Sequence, residues 1–124
     1  YMSMKSMEKR GKKHIKELYV GGGGSKSDLA CQILADTFGL PVKRIHTHEA
    51  CSLGAAMVAF VAKGEFNSFD EAIKSMVHEK DVFTPDPKNH ETYMNMYNKV
   101  YRKIYKNVRP LYATMNNLKE RNMI

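Results

Sequence analysis

Four consecutive glycines, Gly21 to Gly24, lie between a strand-length run and a helical pattern, and they restrict the possible folds more than any other stretch. Ordering a glycine backbone costs more entropy than ordering any other residue, so a fold that keeps four together needs bare backbone there. Upstream, Ile15-Lys16-Glu17-Leu18-Tyr19-Val20 reads as an alternating apolar run of strand length. Downstream, Leu29, Ile33, Leu34 and Phe38 recur at helical spacing; Ser27 or Asp28 can cap the start, and Gly39 followed by Pro41 ends it. A strand, a glycine turn and a helix start present backbone N–H groups and a positive helix end to an anion. The pattern is neither Gly-x-Gly-x-x-Gly nor a P-loop, because Lys26-Ser27 follows the glycines too closely for a Walker-type lysine.

Around this centre the chain is well punctuated. Met4 to Lys13 forms a helix end stopped near Gly11. Leu40 to Ile45 reads as a second short strand, its proline suited to an edge or first position, which makes the passage βαβ-like. His46-Thr47-His48-Glu49 leads into a helix, Ala50 to Ala62, whose first half is almost all small residues, so that another backbone can come very close. Lys63-Gly64 closes it, and Ser68-Phe69-Asp70-Glu71 opens the next helix with a capping box, followed by an apolar face of Ala72, Ile73, Met76 and Val77. Phe83 to Pro87 is extended or turning, since Pro85 and Pro87 cannot continue a helix. A long helix, about Asn89 to Met115, carries Tyr93, Tyr97, Tyr101 and Tyr105 four apart as a packing face, with Pro110 kinking it or splitting off its tail.

The 124 residues make one domain or a piece of one. The N-terminal Tyr1-Met2-Ser3-Met4 has no apolar leader and does not look like a natural start, so a fragment boundary is expected. No apolar run approaches the ~18 residues of a membrane span. The net charge of +7 raises nucleic acid as a partner, but the basic residues fall mostly in Lys5 to Lys16 and Lys99 to Arg121, on the polar faces of helices, without the aromatic-basic motifs of single-strand binders. Neither a nucleic-acid nor a membrane partner is expected. Cys31 and Cys51 lie in apolar helical patterns and read as buried reduced thiols, which places the chain in a reducing, cytoplasmic compartment. No nucleophile elbow is present, and His46-x-His48 lacks further ligands, so no metal site is assigned. Glu49, just ahead of the small-residue helix, has either a functional role or a structural one worth ~0.3–1 kcal/mol against the helix dipole.

Gly22-Gly23-Gly24-Ser25-Lys26-Ser27, Gln32, Ala35-Asp36, Gly39-Leu40-Pro41-Val42, Glu49, Leu53-Gly54-Ala55-Ala56, Ala59, Gly64, Pro85 and Tyr93 form an ordered set of motifs. Over roughly Ile15 to Tyr105 this set resembles the C-terminal portion of the FGGY carbohydrate kinases. The resemblance implies an α/β fold of the ribonuclease-H-like, actin and hexokinase type, mostly helical here with two short strands. It implies that residues 1–124 are a C-terminal fragment of the nucleotide-side domain. It further implies ATP-dependent transfer of a γ-phosphoryl group to a sugar or polyol, with ATP or ADP and Mg²⁺ as cofactors. Carried onto this chain, Gly22 and Gly23 form the turn at the nucleotide, Gly24 continues it, and Ser27 is the polar position, where glycerol kinases have asparagine. The catalytic aspartate, substrate residues and main Mg²⁺ contacts belong to upstream sequence, so no catalytic residue is assigned here and the segment alone is expected to be inactive. Thr84-Pro85-Asp86-Pro87 and the tyrosine-rich helix resemble xylulokinase-like and ribulokinase-like members, which points to a pentulose. The alternative is a non-enzymatic actin-like nucleotide-binding or regulatory module. Open sheet edges leave room for a homo-oligomer.

Overall fold

The computed structural model describes residues 1–120. In chain order the elements are α1 (Met2–Gly11), β1 (Leu18–Val20), a 3₁₀ turn (Gly23–Lys26), α2 (Asp28–Phe38), β2 (Val42–Ile45), α3 (Ala50–Lys63), α4 (Phe69–Met76), β3 (Glu79–Phe83), α5 (Pro87–Met96), a π turn (Tyr97–Tyr101) and α6 (Arg102–Glu120). The sheet order is β1-β2-β3, with β2 parallel to β1 and antiparallel to β3. The register aligns Leu18, Val42 and Phe83 on one face and Tyr19, Lys43 and Val82 on the other.

One face of the sheet packs on α2. Cys31, Ala35 and Val42 are fully buried, flanked by Leu18, Val20 and Phe83. The opposite face has no such cover: Tyr19 and Val82 are more than half exposed. The α2 boundaries follow from their caps. Ser27 Oγ accepts the Ala30 N–H at 3.2 Å, and Gly39 takes the left-handed conformation (φ 67°) that ends the helix. A side chain at Gly39 would also collide with the His90 ring, whose atoms lie 2.6–2.9 Å from the Cβ position.

The C-terminal half of α2 is stapled to the start of α5 by Asp36. Its carboxylate accepts the Asp86 N–H (2.8 Å), Gln32 Nε2 (2.8 Å) and Asn89 Nδ2 (3.0 Å), while its carbonyl meets His90 Nδ1 at 2.8 Å. Its helical position suggests a surface residue, yet Asp36 is only 3% exposed. Burial pushes its carboxyl upward in pKa, and the three hydrogen bonds outweigh that, holding it below its ordinary value.

Elsewhere the structure departs from the expectations in physically interpretable ways. A third strand, β3, adds to the two read from sequence, because its charged residues pair across the sheet: Lys43 Nζ lies 2.8 Å from Glu79, and Arg44 Nε donates to Asp81 at 2.7 Å. The long C-terminal helix changes hydrogen-bond pattern at Tyr97–Tyr101 and runs through Pro110. Tyr101 and Tyr105 face solvent, so only the first half of the tyrosine stripe packs, with Tyr97 against Tyr1 at 5.2 Å. Cys31 is buried as expected, but Cys51 is exposed in the first turn of α3. Gly54 meets nothing within 4 Å, because α3 packs on α4 rather than on α2. The basic C-terminal run reaches Arg121, which lies outside the described residues.

Candidate functional site

The parallel strands β1 and β2 both end at the glycine turn, which places it where open α/β sheets receive ligands. The turn is fixed at its N-terminal side. Gly22 donates its N–H to the His48 carbonyl (2.8 Å), and its own carbonyl accepts both the Ser25 N–H (3.1 Å) and the Ser25 hydroxyl (2.7 Å). Gly22 has φ 84° and ψ 178°, a combination essentially confined to glycine. Gly21 is the point of close approach: a Cβ there would lie 2.9 Å from that of Ala50, the first residue of α3. The small-residue start of α3 is therefore used at Ala50, against the turn itself.

Gly23 and Gly24 differ from both. They are exposed, have negative φ, and meet nothing within 4 Å of an added Cβ. Among the described residues neither N–H has an acceptor, being the first donors of the 3₁₀ turn. Ser27 is exposed; its Oγ caps α2 by accepting from Ala30, which leaves its hydroxyl hydrogen free to donate outward. The structure thus gathers all four sequence-derived residues, Gly22, Gly23, Gly24 and Ser27, into one turn, with Gly22 shaping it and the other three facing out.

Two surfaces of opposite character flank the turn. On one side a polar cleft of about 360 Å³ is lined by Ser25, Lys26, Asp28, Arg44, His46, His48 and Lys80. On the other an apolar groove of about 570 Å³ is lined by Tyr19, Val20, Gly21, Ala30, Ile33 and Leu34. Lys80 reaches the cleft through an irregularity in the β2–β3 ladder: Arg44 pairs with Asp81 and Ile45 with Glu79, leaving Lys80 outside the register. Arg44 lies between cleft and core, with its charge held by Asp81 first and Asp28 second, which raises its pKa. Sequence reasoning passed over both Arg44 and Lys80; the charged run Glu79-Lys80-Asp81 was the available signal, and it looks like loop until its partners on β2 are known.

His46 and His48 share the cleft, and the His46 ring is tilted against that of His78 with centroids 5.2 Å apart. Among the described residues no three His, Cys, Asp or Glu side chains converge on a point that could hold a cation. Glu49 stands at the N-cap of α3 without a side-chain capping bond; its carboxylate lies 3.5 Å from His48 Nε2.

Residues 1–63, just over half of the chain, match the C-terminal domain of the FGGY family of carbohydrate kinases. The chain belongs to that family. It is 33% identical over 115 residues to the xylulose kinase of Staphylococcus epidermidis, covering 93% of this chain and 23% of that protein. It is 44% identical over 82 residues to the autoinducer-2 kinase of Escherichia coli, covering 66% of this chain and 16% of that protein. The crystal structure of a ligand-bound xylulose kinase from Lactobacillus acidophilus has the same fold over 83% of this chain and 21% of its own, with a TM-score of 0.73 at 24% identity. The chain spans less than a quarter of the length of these relatives. This FGGY-family chain is mostly helical with three strands, and it shares its fold with part of the Lactobacillus acidophilus xylulose kinase. Among the described residues no helix is long and apolar enough to cross a membrane.

Proposed function

We propose that residues 1–124 are the C-terminal, nucleotide-side part of an ATP-dependent carbohydrate kinase, and that Gly22, Gly23, Gly24 and Ser27 form its nucleotide-facing turn. The observation that carries the reading is the turn itself: outward N–H groups without acceptors at Gly23 and Gly24, between a basic cleft and an apolar groove. A nucleotide has the same two-sided chemistry, with phosphates suited to Lys26, Lys80 and the free amides, and a nucleoside suited to Ile33 and Leu34. Bound ATP supplies the transferred γ-phosphoryl group and Mg²⁺ its charge neutralisation. This chain's residues position and stabilise charge, the greater part of catalysis in phosphoryl transfer. The cleft is lined by cationic, imidazole and hydroxyl side chains with one carboxylate, Asp28, a poor set for a hard oxygen-seeking cation, so Mg²⁺ is assigned to residues outside this segment. The base and the sugar site are likewise assigned upstream.

A pentulose is the proposed acceptor, supported by the match to xylulose kinase across nearly the whole chain. Two free cysteines suit a reducing cytoplasm. The open edges of β1 and β3 leave a homo-oligomer possible in geometric terms.

The test is nucleotide titration of the full-length kinase and two variants. Gly23→Val fills the open space in front of the turn and should weaken ATP binding far more than xylulose binding. Ser27→Ala should remove at most one ligand hydrogen bond, about 0.5–1.5 kcal/mol, together with a helix cap worth about 1 kcal/mol of stability. Equal ATP affinity in a Gly23→Val protein with a native circular dichroism spectrum would withdraw the assignment.

A further inference from the structure

The C-terminal half of the glycine turn is held from outside chiefly by one side chain. Arg44 projects from β2 with only 12% of its side chain exposed and spends its fork on four residues. Its Nη1 donates to the Ser25 carbonyl at 2.8 Å and reaches the Lys26 carbonyl at 3.4 Å; its Nη2 meets Asp28 at 2.8 Å; its Nε donates to Asp81 at 2.7 Å. The Phe83 ring lies 5.3 Å beneath the guanidinium. We infer that Arg44 is a positioning residue for the nucleotide, holding the turn in the conformation that aims the Gly23 and Gly24 amides outward.

The inference rests on the turn being the nucleotide side. Its physical basis is the freedom of the segment being held. Gly22 to Gly24 resist collapse into other conformations only through their anchors, and those on the N-terminal half are the Gly22 N–H on the His48 carbonyl and the two bonds from Ser25 to the Gly22 carbonyl. Past Ser25, the outside contacts are those of Arg44 and a long one from the Cys31 thiol to the Ser25 carbonyl, 3.5 Å. A planar guanidinium can serve Ser25, Lys26, Asp28 and Asp81 together, whereas an ammonium has the charge without the geometry. Displacement of reacting groups by about 1 Å costs up to about 100-fold, so loosening the turn should be visible in the nucleotide parameters alone.

Steady-state kinetics of the full-length kinase with ATP and xylulose test this in four variants. Arg44→Gln and Arg44→Lys should each raise the KM for ATP about tenfold or more while leaving the KM for xylulose within about twofold. Lys43→Gln breaks the ion pairs to Glu17 and Glu79 on the opposite face of the same strand, and should leave the KM for ATP unchanged. Gly23→Val reports on the turn itself and should raise the KM for ATP. A wild-type KM for ATP in Arg44→Lys would show that charge suffices and overturn the positioning role. So would parallel rises in both KM values, or a Lys43→Gln variant that copies the Arg44 effect, since either means general weakening of the fold. If Gly23→Val leaves the KM for ATP unchanged, the reading of the turn fails and this inference fails with it; a raised value there with normal Arg44 variants overturns the inference alone. Should Arg44→Gln not fold, Arg44→Lys carries the test.

Discussion

Asp36 shows how one side chain can be both a motif residue and a structural staple. Three donors converge on its carboxylate, and truncation to alanine would leave the Asp86 N–H and the Gln32 and Asn89 amides without their acceptor. Losing them should cost about 2–3 kcal/mol in a chemical denaturation measurement. The same contacts make stability depend on pH. Desolvation opposes the charge and the hydrogen bonds overcome it, so the folded-state pKa lies below the ordinary carboxyl value. A depressed carboxyl contributes its stability fully above the unfolded-state pKa, and that contribution is lost as pH falls through the folded value. Acid unfolding of Asp36→Asn should therefore be flatter than wild type below about pH 4, while the variant is less stable at neutral pH. Glu8 and Glu79 are also held low and remain in both proteins, so the comparison isolates Asp36. Parallel acid titration curves by circular dichroism would contradict the assignment. Gln32, Asp36 and Pro85 were legible as a family pattern, but the bonds from Gln32 to Thr84 and from Asp86 to Asp36, on either side of Pro85, span about fifty residues of sequence, which no local periodicity reveals.

The helices of this chain were legible where their ends are written in local chemistry. Ser27 and Gly39 bracket α2, Gly64 closes α3, and Ser68 opens α4 by accepting the Glu71 N–H. Glu71 completes that cap from one residue further out than expected, accepting from Asn67 rather than from Ser68. β3 was not legible, because Glu79-Lys80-Asp81 has no apolar alternation and becomes a strand only through its partners on β2. An interruption of the C-terminal helix was expected at Pro110, whereas the structure has it at Tyr97–Tyr101 and continues through the proline; a proline is visible in sequence and a π turn is not. α3 illustrates the opposite error, since its small face suggested a tight helix contact and the structure uses only Ala50 at the turn. Gly54 is left in open space on that helix, so Gly54→Leu should raise the stability of residues 1–124 by a few tenths up to about 1 kcal/mol, the difference in helix propensity. A loss of about 1–3 kcal/mol in thermal melts would instead mean that another surface overpacks against this face.

As a whole the molecule exposes far more surface than its mass requires. A folded monomer of 14.2 kDa is expected to show about 6,800 Å², whereas this one shows 9733 Å². Large apolar side chains contribute to the excess: Leu29 on α2, Val82 on the open sheet face, and Val100, Ile104, Leu111 and Met115 along the C-terminal helices are between half and three-quarters exposed. Such faces normally meet a partner surface, and the relatives that share this segment are about four times as long. The candidate nucleotide site is one-sided in the same sense. It offers amides, Lys26 and Lys80, but the carboxylate lining the cleft, Asp28, is already paired with Arg44 at 2.8 Å and is not free to act as a base. Purified residues 1–124 should consequently transfer no phosphoryl group from ATP to xylulose or glycerol in a coupled assay, and should bind ATP far more weakly than the full-length kinase in calorimetry. Because the exposed faces remain uncovered, the same sample should also show a sedimentation coefficient that rises with concentration. Turnover by this segment would place a base within it and overturn the assignment of the chemistry to upstream sequence, whereas inactive protein with full ATP affinity would mean that this one wall of the cleft is sufficient for binding.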